Sequence, residues 1–211
     1  MTLSRWDKAG AIAGIAFALL FFATLMIVKL PGGDDTNQVY AEYFIESDRF
    51  TDHTIVAYMI AVAGIAFLTL LASLRGRMLA RDPEADGLHT LALGSGLLFV
   101  GALFVTGAAA YAVPASIEFG EETQFGADIA RVPWVASIAL LLYGMIAASA
   151  SIASLSALML RTRALPKWLA VFGFVAAFVL LFGYVYMPMM ILPVWTIAAS
   201  VGLLRPAPEP A

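Results

Sequence analysis

Six long apolar stretches constrain this chain more than any other feature of its sequence. None of them contains Asp, Glu, Lys or Arg, and they cover residues 9–28, 54–74, 88–113, 132–160, 168–185 and 187–204. A helix of roughly 20 apolar residues crosses a bilayer core about 30 Å thick. The sequence therefore predicts an all-α integral membrane bundle of about six transmembrane helices, in a single domain over residues 1–211.

The composition also indicates a protein embedded in lipid. Hydrophobic residues make up 62% of the chain and charged residues 13%, against about 25% charged in an average soluble protein. So few charges cannot cover a water-facing surface, and the lipid bilayer is therefore the predicted partner. The chain has no Cys, which excludes disulfides and thiolate chemistry, and its net charge of -3 argues against nucleic-acid binding.

Only Tyr184, Tyr186 and Pro188 suggest a break between the two C-terminal stretches. A single helix of about 37 residues would be roughly 55 Å long, too long for one crossing. We therefore expect a tight turn near Pro188, and a kink at Pro193 of the kind that membrane helices tolerate. The first apolar stretch is interpreted as a retained span, because it is longer than the roughly 7–15 apolar residues of a signal peptide.

The basic residues divide unequally between the two sides that six crossings create. Nine of the twelve fall on the side that holds both termini: Arg5, Lys8, Arg75, Arg77, Arg81, Arg161, Arg163, Lys167 and Arg205. Cytoplasmic loops carry the excess of Lys and Arg in membrane proteins. We therefore expect a protein of the cytoplasmic (plasma) membrane with its N- and C-termini in the cytoplasm.

Small residues spaced by four recur in the apolar stretches and predict close helix packing. Lipid tails are as apolar as Leu, so membrane helices associate through close contact at small residues. The pairs include Gly10 with Gly14, Ala92 with Gly96, Gly144 with Ala148, and Gly173 with Ala177. We expect these positions to lie at contacts between helices.

The first loop on the opposite side, residues 29–53, predicts a short amphipathic helix on the membrane surface. Asp35 followed three residues later by Gln38 resembles a capping box, which marks a helix start. The apolar side of this helix would carry Tyr40, Tyr43, Phe44 and Ile45.

The outer face is acidic, and three interpretations of it are open. It holds ten of the fifteen acidic residues, several of them in a second loop, residues 114–131. These acids solvate the loops, form a docking surface, or bind a divalent cation through Asp34, Asp35 and Asn37. The residues expected to make outer-face contacts are Tyr40, Tyr43, Phe44, Glu121 and Glu122.

The sequence carries no pattern for catalysis, a metal or a cofactor. It has no GxSxG, HExxH or P-loop pattern, and the span interiors lack the charged residues that proton transport uses. The two histidines, His53 and His89, are expected at opposite ends of neighbouring spans, about 30 Å apart, too far to share a haem or a metal ion. We therefore expect a protein that is not an enzyme and has no cofactor.

Absent chemistry and abundant small residues favour a non-enzymatic membrane protein that acts through helix packing or outer-loop contacts, as an accessory subunit or an oligomer. The alternative is a carrier or channel for an apolar or weakly polar small molecule. That alternative predicts an internal cavity lined by Tyr111, Tyr143 and Tyr184.

Four motifs occur together in this chain: YAEYF (Tyr40 to Phe44) before Arg49, LRGRM after the second span, RALPKWLAVFG (Arg163 to Gly173) and the terminal LPVWTIAASVGLLR (Leu192 to Arg205). Together they resemble uncharacterised multi-pass membrane proteins common in actinobacteria. The ALPKW turn is the most specific part of the pattern. The resemblance implies a six-helix bacterial membrane protein and implies no activity, so it transfers no functional residue.

Overall fold

The computed structural model describes residues 4–27, 36, 38–39, 42–43, 49–119, 127–182 and 186–205, and the regular elements among them are all α-helices. They are α1 (Arg5–Ile27), α2 (Arg49–Leu79), α3 (Asp86–Phe119), α4 (Ala127–Thr162), α5 (Lys167–Leu180), α6 (Tyr186–Met189) and α7 (Ile191–Leu203). Long apolar segments become helices because a backbone in hydrocarbon must satisfy its own hydrogen bonds. The predicted all-α fold is confirmed for this part of the chain.

Four of the helical segments are long and apolar enough to cross a membrane: Arg5–Ile27, Phe50–Leu79, Asp86–Phe119 and Val135–Thr162. α5 and α7 hold 14 and 13 residues, which makes them roughly 21 and 20 Å long. The two C-terminal segments are interrupted near Pro188, because α5 ends at Leu180, Pro188 lies in the short helix α6, and α7 begins at Ile191. The count of six crossings stays a prediction.

Pro193 lies in the first turn of α7 and not at a kink in the middle of a span. The first backbone N–H groups of a helix have no intrahelical acceptor, so a proline there removes no helical hydrogen bond. The expected kink is therefore replaced by a helix start.

The helices form a closed ring. Each of α1 to α5 packs against the next along the chain, and α7 packs against both α5 and α1. Ser73 of α2 donates to the Trp6 carbonyl of α1 at 3.1 Å, and Arg77 donates to the Leu203 carbonyl of α7 at 2.9 Å. The start of α1 and the ends of α2 and α7 therefore lie together, at what we call the basic end of the bundle. This end holds Arg5, Lys8, Arg75, Arg77, Arg81, Arg161, Arg163, Lys167 and Arg205.

Two arginines one turn apart on α2 bind the carboxyl ends of two other helices. Arg77 reaches the carbonyls of Leu203 and Arg205 at 2.9 and 2.6 Å. Arg81 reaches the carbonyls of Thr162 and Arg163 at 3.3 and 3.0 Å, where α4 ends. The last carbonyls of a helix lack intrahelical donors and carry partial negative charge, so a guanidinium both satisfies and neutralises them.

Small residues bring the helices into close contact at positions where serine hydroxyls fill the space. A Cβ at Gly10 would overlap the Ser73 side chain, and one at Gly14 would overlap the Ser200 hydroxyl. A Cβ at Gly173 of α5 would likewise overlap the Ser156 hydroxyl of α4. The prediction that these glycines lie at helix contacts is therefore confirmed.

Serines of α4 also bridge directly to neighbouring helices. Ser151 donates to the Ala92 carbonyl of α3 at 2.8 Å, and Ser149 donates to the Ala177 carbonyl of α5 at 2.6 Å. Both accepting residues belong to the predicted small-residue pairs. Small side chains at these positions expose the backbone carbonyls to a donor on the facing helix.

Aromatic rings occupy the interior between α1, α2 and α3. The ring centroids of Phe17 and Phe67 are 5.1 Å apart, and those of Phe67 and Phe99 are 4.9 Å apart. All three side chains are buried, and Trp195 of α7 is fully buried as well. The described interior is therefore packed with large apolar side chains, and its polar residues are chiefly hydroxyls bonded to carbonyls.

Candidate interaction surfaces

Bulky apolar side chains cover the outer surface of the bundle, as a lipid-facing protein requires. The exposed set includes Ile12, Leu19, Phe22, Val62, Ile65, Leu98, Phe104, Val171 and Phe178. A soluble protein rarely exposes so continuous an apolar surface. This surface indicates a membrane protein, in agreement with the four helical segments that are long and apolar enough to cross.

One strip of this outer surface differs from the rest, and we call it the α3 groove. Its floor consists of Gly87, Gly94, Gly101 and Ala108, which recur every seven residues and are all exposed. Its walls consist of Leu97 and Phe104 on one side and Leu98 and Val105 on the other. Seven residues correspond to nearly two helical turns, so the small residues align along one face.

The space above the α3 groove is open. A Cβ placed at Gly87, Gly94 or Gly101 would have no atom within 4 Å. By contrast, Gly96 on the inner side of the same helix faces the Leu71 side chain and Ser151. The buried glycines are thus explained by packing inside the ring, whereas the glycines of the groove have no packing partner among the described residues.

The opposite end of the bundle from the basic end carries a small aromatic cluster. The ring of Phe50 lies 5.8 Å from that of Tyr111 and 5.4 Å from that of Phe119, centroid to centroid. The Tyr43 ring meets the His53 ring edge-on at 6.0 Å. The two Phe50 contacts join the start of α2 to the end of α3, and the Tyr43 contact joins the segment before α2 to α2 itself.

The residues expected to make outer-face contacts are described only in part. Tyr40, Phe44, Glu121 and Glu122 lie outside the described residues, as does most of the predicted amphipathic helix. Tyr43 is buried against His53 and is 9% exposed. Outer-loop contacts therefore stay a prediction.

Of the three tyrosines that would line the cavity of a carrier, the two that the structure describes do not meet in the interior. Tyr143 projects from the outer surface of α4 and is 69% exposed. Tyr111 lies in the small aromatic cluster against Phe50, and Tyr184 lies outside the described residues. The packed phenylalanines occupy the centre instead, so the described interior lends no support to a carrier.

The two histidines lie at opposite ends of the bundle. His89 is buried at the basic end, with Nε2 3.1 Å from the Asp82 carbonyl oxygen. His53 is buried at the other end, beside Tyr43. Across the described ranges, no three His, Asp or Glu side chains are grouped to hold a metal ion.

The α3 groove and the carbonyl contacts of Arg77 and Arg81 are the features that sequence reasoning did not identify. A search for small residues spaced by four misses a repeat of seven, although Gly87, Gly94 and Gly101 are visible in the sequence. Comparison with known proteins gives no matching family model, no matching curated protein and no matching solved structure.

Proposed function

We propose that this chain is a non-enzymatic, multi-pass protein of the cytoplasmic membrane that acts by packing against another transmembrane helix, and that it self-associates through the α3 groove. The observation that carries the proposal is the open space above Gly94 and Gly101. A groove with a small floor and bulky walls fits a rigid helix better than it fits a flexible acyl chain.

A helix fits the groove because its floor is small and its walls are bulky. Small residues let two helix backbones approach closely, which is the main source of attraction between helices in lipid. A repeat of seven residues matches the geometry of left-handed helix pairs that cross at about 20°. Side chains such as Leu97 and Leu98 would then pack beside the partner helix.

A second copy of the chain is the occupant that the symmetry of a membrane favours. All copies insert with the same side inward, so a two-fold axis perpendicular to the membrane brings α3 against its own copy in parallel. Each small residue of the groove then meets itself at the same depth. Such an isologous contact closes as a dimer.

The helix register supports six crossings. Leu203 and Ser200 of α7 lie against Gly10 and Gly14 of α1 in antiparallel order. Continued at about 1.5 Å per residue, this register brings Ile191 roughly level with residue 23, close to the outer end of α1 at Ile27. If α1 crosses the membrane, α7 therefore covers most of the same depth and ends about four residues, or roughly 6 Å, short of the end of α1.

The position of basic residues supports cytoplasmic termini, and cysteine labelling tests both points. The chain has no Cys, so single-cysteine variants give a clean signal. We expect Val39→Cys and Phe182→Cys to react with a membrane-impermeant maleimide on intact cells, and Arg163→Cys to react only after permeabilisation. If Val39→Cys is labelled on intact cells and Phe182→Cys is not, then α5 to α7 form a re-entrant hairpin and the chain crosses four times.

Replacing Gly94 and Gly101 by leucine tests the groove. The two leucines fill the floor, and we expect the dissociation constant of the dimer to rise roughly tenfold, because inserting bulk into a packed contact typically costs about 1–3 kcal/mol. Energy transfer between donor- and acceptor-labelled copies in vesicles measures the association.

Gly76→Leu is the matched control. Gly76 is also an exposed helical glycine with no atom within 4 Å of a Cβ, but it lies on α2 and not on α3. The control should associate like the wild type. A monomeric wild type, or a double variant that associates as well as the control, contradicts the proposal.

A further inference from the structure

Arg75 lies on the boundary between α2 and α3 at the basic end. One turn earlier on α2, Leu71 fills the notch at Gly96 of α3, so Arg75 continues the same boundary. Ser73 and Arg77 flank it, and these bond to the Trp6 carbonyl and to the end of α7. The exposed Trp6 side chain marks the expected level of the lipid headgroups.

The other arginines near Arg75 on α2 and α4 have acceptors within the protein. Arg77 and Arg81 bind helix carbonyls, and Arg161 Nε lies 2.9 Å from an Asp82 carboxylate oxygen. Arg75 Nε is buried and has no hydrogen-bond partner among the described residues. A buried donor on a charged group costs about 1–3 kcal/mol or more when it is left unpaired. The described residues therefore supply no acceptor for this group.

We propose that Arg75 binds the phosphate of an anionic phospholipid headgroup in the crevice between α2 and α3. The proposal rests on the proposed membrane insertion but not on self-association. A guanidinium matches phosphate oxygens in geometry and charge.

Charge complementarity favours an anionic lipid over a neutral one. Within the described residues, this end carries nine basic residues and four acidic ones, Asp7, Asp82, Glu84 and Asp86. One of these acids, Asp82, is already paired with Arg161. The resulting positive field attracts a headgroup with net negative charge more strongly than a zwitterionic one.

Native mass spectrometry of the delipidated protein in mild detergent tests the site. Phosphatidylglycerol is titrated into the wild type and into Arg75→Gln, and adducts are counted on the monomer, so a failure to self-associate leaves the measurement intact. We expect the affinity of the tightest phosphatidylglycerol adduct to fall roughly tenfold in the variant, as the loss of a charged hydrogen bond implies. Arg5→Gln, which removes an exposed guanidinium at the same end, should bind like the wild type.

Further arms separate the possible ligands. Phosphatidylcholine with the same acyl chains should bind the wild type more weakly, and millimolar inorganic phosphate should not displace the lipid. Equal binding of both lipids, displacement by phosphate, or unchanged binding by Arg75→Gln overturns the proposal. Arg75→Lys keeps the charge without the forked donor, so an intermediate affinity in this variant supports the site even if Arg75→Gln folds poorly.

Discussion

Gly173→Leu is expected to lower the free energy of unfolding of the bundle by about 3 kcal/mol, at the upper end of overpacking effects. A Cβ at this position would overlap the Ser156 hydroxyl and lie 2.9 Å from Trp195 Nε1. Trp195 is 0% exposed and cannot move aside without displacing α7. Thermal unfolding in mild detergent should show a Tm lower by roughly 10 °C.

Gly76→Leu again provides the contrast for this variant. Both substitutions raise helix propensity by up to about 1 kcal/mol, but Gly76 has open space where Gly173 has neighbours. The Tm of Gly76→Leu should match or exceed that of the wild type. Equal Tm values for the two variants would mean that α5 does not pack against α4 and α7 as described.

Arg77→Ala is expected to cost about 2 kcal/mol and to release the end of α7. The substitution leaves the carbonyls of Leu203 and Arg205 without their donor. Hydrogen bonds to charged groups contribute about 1.5–3 kcal/mol each, and the exposure of Arg205 reduces the sum. Hydrogen exchange should be faster in α7 than in the wild type, while exchange in α3 should change little.

Lys8→Ala and Arg77→Lys are the controls for this effect. Lys8 is an exposed cation of the same end, so its removal changes net charge by the same amount without touching α7. Lysine at position 77 retains the charge but presents a single ammonium, so we expect an intermediate Tm. If Lys8→Ala destabilises the protein as much as Arg77→Ala, the effect is one of overall charge and not of these contacts.

The parts of the fold that follow from local pattern could be predicted from the sequence. Long uncharged stretches gave the helices, because backbone hydrogen bonding in hydrocarbon leaves few alternatives. Gly10, Gly14 and Gly173 were expected at helix contacts and lie there. Trp195 lies in the middle of an apolar stretch, and it is buried inside the ring.

The direction in which each residue faces could not be read from the sequence. A membrane helix is apolar all round, so the usual contrast between a polar and an apolar face is missing. Tyr143 was expected inside under the carrier hypothesis and lies outside. For the same reason, Gly94 and Gly101 could not be distinguished from buried glycines before the ring was known.

Contacts between distant parts of the chain were also beyond the sequence pattern. Arg77 was interpreted only as a sign of which side faces the cytoplasm. Its acceptor on Leu203 lies 126 residues away along the chain, and no spacing rule reaches that far. Positive charge at a helix terminus therefore contributes to packing here.

The helices α5 and α7 of the ring are much shorter than α3 and α4. α3 and α4 hold 34 and 36 residues, or about 51 and 54 Å, whereas α5 and α7 hold 14 and 13 residues. A bilayer thins where it meets an apolar protein surface that is shorter than its hydrocarbon thickness, at a cost of fractions of a kcal/mol per Å of mismatch. We therefore expect the bilayer to be thinner beside α5 and α7 and lipids with shorter acyl chains to be enriched there. The protein should also partition into thinner membranes.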